Sequence, residues 1–76
     1  MYIVSVEEFD NGMLLYTYVE RFIKFESALH NYTVFVSKFS RDIANHNMLG
    51  KSFKLGFWHD DKEVYSQVFA DVFGEL

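Results

Sequence analysis

The first third of the chain contains two β-rich runs, with apolar and aromatic residues at close intervals, separated by a turn signal. The first run begins at Tyr2 and reaches Phe9, and the second extends from Met13 to about Phe22. Between them lies Asp10-Asn11-Gly12, and Asn and Gly tolerate the positive φ angles that tight hairpins require. The pattern predicts an N-terminal β-hairpin.

Two registers of this hairpin are consistent with the sequence. A three-residue loop, with Gly12 in the left-handed position, places Val6 opposite Tyr16. A two-residue Asn11-Gly12 turn places Val6 opposite Thr17 instead. We favour the first register, because pairs of aromatic and β-branched side chains stabilise a sheet face.

From Ser27 onward the apolar residues recur at spacings of three and four. They are Ala28, Leu29, Tyr32, Phe35, Val36, Phe39 and Ile43. This stripe predicts an amphipathic helix with Ser27 as its N-cap, ending in the Asn45-His46-Asn47 cluster before Gly50. Lys38 and Asp42 lie one turn apart on its polar side, where an ion pair supports a helix.

The segment after the helix predicts a further strand. Phe53, Leu55 and Phe57 alternate with polar or small residues, which is typical of a strand with one buried face. The last segment fits two structures. Its apolar positions at a helical period are Val64, Tyr65, Val68, Phe69, Val72 and Phe73.

A helix is the favoured structure for this last segment, because Asp60 with Glu63 resembles a capping box and Gly74 stands where a helix often ends. The alternative is a strand with Val64 and Val68 on one side and residues 59–62 as a hairpin loop. We therefore predict a single α+β domain over residues 1–76 with ββαβα order and a small antiparallel sheet; the strand alternative gives ββαββ.

Composition adds a surplus of aromatic rings to this picture. The 76 residues include nine Phe, five Tyr and one Trp, without Cys or Pro. A chain of this size buries only about 60% of the surface that its unfolded form exposes, so we expect some rings to face a partner. Lack of cysteine excludes disulfides and cysteine-ligated metals and suits a reducing cytosol. We predict a cytoplasmic protein, since no apolar run approaches the roughly 20 residues of a membrane span.

The densest polar cluster is His59, Asp60, Asp61 and Glu63. An imidazole beside carboxylates is able to bind a divalent metal or transfer protons, so a metal-dependent or catalytic module centred on this segment is an alternative function. Consecutive turn residues point their side chains apart, however, and metal ligands must converge. We predict a solvated turn here, no cofactor and no enzymatic activity.

Nucleic-acid binding and DNA mimicry are further alternatives. Tyr16 and Tyr18 are suited to an aromatic platform for bases, whereas Glu7, Glu8 and Asp10 are carboxylates able to imitate phosphates. A formal charge of −4 opposes approach to nucleic acid, because binding depends on Lys and Arg. The charge is also modest for a DNA mimic.

Our leading hypothesis is a non-enzymatic protein-binding module that uses a sheet edge or an aromatic and acidic surface. The hypothesis assigns its contacts to Tyr16, Tyr18, Trp58, Glu7, Glu8 and Asp10. Short, aromatic-rich, proline-free acidic chains are common among viral and phage-encoded inhibitors, and this likeness of composition favours an inhibitor or regulator. The same surplus of rings and an open sheet edge predict a homodimer.

Trp58 follows the alternating strand and is expected on the face opposite Phe57. On an open face it is an interface anchor. The alternative is a ring folded over the core edge beside Val64 or Phe69, with its indole N–H hydrogen-bonded.

Overall fold

A computed structural model of the chain describes residues 1–70. They form strands β1 (Tyr2–Asp10), β2 (Met13–Phe22), β3 (Lys51–His59) and β4 (Lys62–Ala70) and helix α1 (Phe25–Ala44). The order along the chain is ββαββ, and the strands make one antiparallel sheet with the spatial order β2-β1-β3-β4. The predicted α+β class is confirmed.

The hairpin of β1 and β2 turns through two residues, and both are in the left-handed region: Asn11 has φ 51° and Gly12 φ 85°. The register shifts by one residue between Glu8 and Phe9, so Val6 lies opposite Tyr18. Both predicted registers are therefore wrong. The extra residue of the bulge, Leu15, supplies the shift.

Helix α1 begins at Phe25, and Lys24 is its N-cap, without a side-chain capping bond. The predicted cap at Ser27 is wrong. The ring of Phe25 packs edge to face on Tyr2 and Phe57, at centroid distances of 5.6 and 5.9 Å. These tertiary contacts stabilise the first turn of the helix, so α1 starts two residues before the predicted cap.

The end of α1 agrees with the sequence. Asn45 is the C-cap, and His46 adopts φ 56°, as expected for a chain that leaves a helix through a left-handed residue. The Lys38 Nζ lies 2.9 Å from a carboxylate oxygen of Asp42, which confirms the predicted pair on the polar side.

Residues 62–70 form a strand, so the predicted C-terminal helix is wrong for this part of the chain, and the capping box of Asp60 and Glu63 does not form. Val72, Phe73 and Gly74, which entered that prediction, lie outside the described residues. A two-residue turn, Asp60 (φ 50°) and Asp61 (φ 67°), joins β3 to β4. Pairing with β3 places Phe69 opposite Phe53.

The core lies between α1 and one face of the sheet. Its buried side chains are Val4, Val6, Ala28, Tyr32, Phe39, Met48, Leu55, Phe57 and Phe69. Phe39 is central among the aromatic contacts, stacking on Phe53 at 4.5 Å and lying 5.5 Å from Phe69. The prediction that Leu55 and Phe57 face inward is confirmed.

A single helix does not cover this sheet. The outer strands of a four-stranded sheet lie about 15 Å apart, whereas a helix with its side chains is about 10 Å wide. The core side of the sheet therefore keeps a groove on each flank of α1. Within residues 1–70, no helix is long and apolar enough to cross a membrane.

Candidate functional site

The groove between the N-terminal half of α1 and strands β3 and β4, here called the β4 groove, has a volume of about 460 Å³. It is lined by Phe25, Leu29, Tyr32, Thr33, Val36, Phe57, Val64, Tyr65 and Gln67. Among residues 1–70, no carboxylate, imidazole or amine lines it. Its contacts with a ligand are therefore apolar apart from a few hydroxyl and amide groups.

Four of the lining side chains are large, apolar and exposed. The exposed fraction is 47% for Phe25, 42% for Leu29, 58% for Val64 and 56% for Tyr65. Helix α1 contributes the first two and β4 the last two. Single exposed apolar residues are ordinary on protein surfaces, but a contiguous set around a concave site marks an interaction surface.

Tyr32 lies at the floor of the β4 groove and forms a polar pair with Gln67 there. The ring of Tyr32 packs at 5.8 Å against both Phe57 and Tyr65, and its hydroxyl donates to Gln67 Oε1 at 3.2 Å. Burial raises the pKa of Tyr32 to about 12, with smaller contributions from Tyr65 and Glu63. At neutral pH this hydroxyl is therefore a protonated donor.

The opposite flank of α1 holds a second groove, here called the β2 groove, of about 540 Å³. Tyr16, Tyr18 and Glu8 line it, so the structure brings these three predicted residues together. Unlike the β4 groove, it also contains ion pairs: Lys51 Nζ lies 3.5 Å from Glu8, and the Lys38–Asp42 pair is part of its lining.

Tyr18 is only half-buried, and its ring meets Phe35 at 5.7 Å. Its hydroxyl donates to Glu20. This hydrogen bond, aided by burial and the charge of Glu20, raises the pKa of Tyr18 above its ordinary value. Tyr16 is 56% exposed and remains accessible to a partner.

Trp58 and Glu7 lie on the other face of the sheet, where they line a cavity of about 370 Å³. The indole N–H of Trp58 donates to Ser5 Oγ at 2.9 Å. An ideal Cβ on Gly56 would lie 2.9 Å from the indole nitrogen. Trp58 thus occupies the face predicted for an anchor, yet its ring is half-buried against the sheet and bonded through its N–H.

The predicted contact residues consequently do not form one site. Tyr16, Tyr18 and Glu8 flank the helix, and Glu7 and Trp58 lie on the opposite face of the sheet. Asp10 ends β1, next to Asn11, whose N–H donates to the carbonyl oxygen of Gly50 at 3.0 Å.

The acidic cluster around His59 is spread over the β3–β4 turn. His59 Nε2 lies 3.4 Å from Asp60, whose other carboxylate oxygen lies 3.3 Å from the N-terminal amine. The His59 ring stacks on Tyr2 at 4.5 Å. Asp61 and Glu63 line the cavity beside Trp58 instead. Over residues 1–70, no three His, Cys, Asp or Glu side chains converge as metal ligands do.

The sequence interpretation missed the residues of the β4 groove. The sequence pattern places Phe25 before the helix and favours a helix for Val64 and Tyr65, whereas the structure has Phe25 in α1 and the other two on an edge strand. Of the two predicted structures for the residues after Lys62, only the strand implies this groove, because a strand there lies beside α1 and forms the groove's other side.

Comparison with known proteins gives no relative to this chain. Neither protein-family models, nor curated proteins, nor solved structures provide a match.

Proposed function

We propose that this chain is a non-enzymatic protein-binding module and that the β4 groove is its main contact surface. The main support for this proposal is the apolar lining of the groove, together with four exposed side chains around it: Phe25, Leu29, Val64 and Tyr65. Burial of such side chains contributes about 25 cal/mol per Å² of apolar surface. Aromatic side chains in well-packed pockets also dominate the energy of many interfaces.

The groove's chemistry supports binding over catalysis. Within the described part of the chain, the titratable side chains of its lining are tyrosines, and burial raises the pKa of Tyr32 to about 12, far from the value that suits a general base at neutral pH. An inhibitory or regulatory role, and a viral or phage source, stay predictions from composition. Homodimer formation also stays a prediction.

Leu29 and Val34 provide a matched pair of substitutions for testing this function. Both side chains lie on α1, at 42% and 50% exposure, but only Leu29 lines the β4 groove. We expect Leu29→Glu to abolish capture of partner proteins from a lysate of the native source, and Val34→Glu to preserve it. Leu29→Gln, which adds no charge, separates lost apolar contact from electrostatic repulsion.

Circular dichroism should give the same helix and sheet signal for all three variants, since both positions are solvent-accessible. Equal capture by wild type and both Leu29 variants would contradict the proposal. So would native mass spectrometry that shows a small molecule retained by wild type and lost in Leu29→Glu, because the groove would then be a ligand pocket.

A further inference from the structure

Strand β4 is an edge of the sheet, and it lacks most of the features that protect natural edges. From Val64 to Ala70 it carries no charged residue, no proline and no glycine. Its charges, Lys62 and Glu63, lie at the turn. A bulge occurs at the same end, where the register shifts between Phe57 and Trp58. Among residues 1–70, the remaining stretch from Tyr65 to Ala70 is regularly paired on one side only, and such an edge readily accepts another strand.

The other edge, β2, is less receptive. The bulge at Leu15 interrupts its apolar run, and Glu20 and Arg21 place charges in its second half. The groove beside β2 holds the Glu8–Lys51 and Lys38–Asp42 ion pairs. By contrast, β4 combines an uncharged edge with the apolar β4 groove.

The β4 groove lies where the side chains of an added strand would project. On the helix side of β4, Tyr65 and Gln67 form part of the groove's lining. A strand paired to β4 would place every second side chain beside these two, at the cross-strand distance of about 5 Å. Its remaining side chains would lie beside Val68, which is 70% exposed on the other face.

We propose that β4 and its groove bind an extended segment of a partner protein by strand addition, an inference that rests on the proposed function. The segment has about six residues in contact, with large apolar side chains at every second position. Backbone hydrogen bonds to β4 supply much of its affinity, and the groove selects its side chains.

Charge selects basic residues at one end of this segment. The β3–β4 turn carries Asp60 and Asp61, followed by Glu63, so its three carboxylates outnumber two nearby cations, Lys62 and the N-terminal amine that lies 3.3 Å from Asp60. The whole chain has a formal charge of −4. We therefore expect Lys or Arg in the part of the segment that reaches the turn, and no Asp or Glu there.

A second copy of this chain is a poorer occupant of the site. The β4 rings on the helix side already pack against α1: Tyr65 contacts Tyr32, and Phe69 contacts Phe39. Two paired β4 strands would therefore have few apolar side chains to insert into either groove. The side chains of an extended partner segment are not packed in a core, so they are available to insert into the groove.

Selection of displayed random twelve-residue peptides on the immobilised full chain tests this inference. We expect enriched peptides with apolar residues at i, i+2 and i+4 next to Lys or Arg. The best peptide is then synthesised with a single N-methyl group at each backbone amide in turn. Strand addition predicts a loss of about tenfold in affinity at every second position, because only alternate amides donate to β4.

The Leu29→Glu and Val34→Glu variants serve again as a matched pair, with affinity measured by fluorescence anisotropy of the labelled peptide. Binding should be lost in the first and kept in the second. Enriched peptides with helical spacing, or peptides insensitive to N-methylation, would overturn strand addition and leave the groove's binding role intact. Binding unaffected by Leu29→Glu would overturn both proposals.

Two other outcomes also count against strand addition. If no peptide is enriched above a selection on Leu29→Glu, the inference fails. If sedimentation shows a mass of twice 9.0 kDa that the best peptide reduces to the monomer, the site belongs to a second copy of the chain.

Discussion

At the scale of single residues, Gly56 and Trp58 show how the face opposite the helix is built. An ideal Cβ on Gly56 would lie 2.7 Å from Ser5 Oγ and 2.9 Å from a Glu63 oxygen, closer than a side chain there can be accommodated without movement. Glycine leaves the space in which the indole nitrogen of Trp58 reaches Ser5. The Trp58 ring is therefore expected to contribute to stability, although the residue is only half-buried.

Substitutions of Trp58 test whether its effect on stability lies between that of a core residue and that of an exposed one. We expect Trp58→Ala to lower the free energy of unfolding by about 2 kcal/mol, less than the roughly 3 to 5 kcal/mol of a fully buried Trp. Trp58→Phe should cost about 1 kcal/mol, since it removes the hydrogen bond and keeps a ring. Urea titrations followed by circular dichroism measure both. An unchanged midpoint for Trp58→Ala would show that the ring is a free anchor.

Tyr32 links stability to alkaline pH. Burial raises its pKa from 10.0 to about 12 in the folded chain. The unfolded state therefore loses this proton at lower pH than the folded state. The stability that Tyr32 contributes is fully present below pH 10 and declines as the pH rises toward about 12.

Tyr32→Phe tests this dependence, because it removes the titrating group and keeps the ring. The loss of unfolding free energy between pH 9 and pH 11.5 should be smaller in the variant than in wild type. Tyr16→Phe is the control, because Tyr16 is 56% exposed. Identical pH profiles for wild type and Tyr32→Phe would show that this hydroxyl is not effectively buried.

At the scale of elements, the two β-hairpins have similar turns made from different residues. In the first turn, the second left-handed residue is Gly12. In the second turn, both left-handed residues, Asp60 and Asp61, have side chains. A non-glycine residue in this conformation is strained, although Asp tolerates it better than most.

Asp61→Gly should relieve the strain at the second position, where a two-residue turn of this kind prefers glycine. We expect a gain of about 0.5 to 1 kcal/mol in unfolding free energy. Gly12→Ala, the reverse change in the first hairpin, should cost about 1 kcal/mol. Thermal denaturation of both variants provides the comparison. A lower melting temperature for Asp61→Gly would indicate that the carboxylate itself holds the turn.

Local patterns predicted the elements whose period was unambiguous. The alternation at Leu55 and Phe57 and the three-to-four spacing around Phe39 each matched one structure. The segment after Lys62 fits both periods, and its pairing with β3 decides the outcome. Phe69 opposite Phe53 and Tyr65 opposite Phe57 are cross-strand contacts, and the apolar period of the segment by itself does not contain them.

Part of the candidate site was inaccessible to sequence reasoning for the same reason. The predicted hairpin contains Tyr16, Tyr18 and Glu8, and in the structure all three line the β2 groove. The bulge at Leu15 determines the register of these residues, and no feature of the sequence predicts that bulge. The β4 groove required the correct structure of the last strand, so Val64 and Tyr65 were missed.

At the scale of the whole molecule, one helix on a four-stranded sheet explains the distribution of the apolar residues. The helix covers the middle of the sheet and leaves both flanks and the far face uncovered by any other described element. The aromatic side chains are divided among a core around Phe39, the two grooves beside α1 and the far face of the sheet, where Trp58 lies. A partner bound in the β4 groove would bury the apolar side chains that the chain by itself leaves exposed there.

Hydrogen exchange of single backbone amides, measured by NMR on the full chain with and without the best selected peptide, tests the central claim most directly. Alternate amides of an edge strand point away from the sheet, and exchange reports their protection individually. We predict that every second amide between Tyr65 and Ala70 slows by about tenfold or more when the peptide binds, while the outward amides of β2 do not change. Unchanged exchange throughout β4, with protection confined to β2 or to the face of Trp58, would contradict the account.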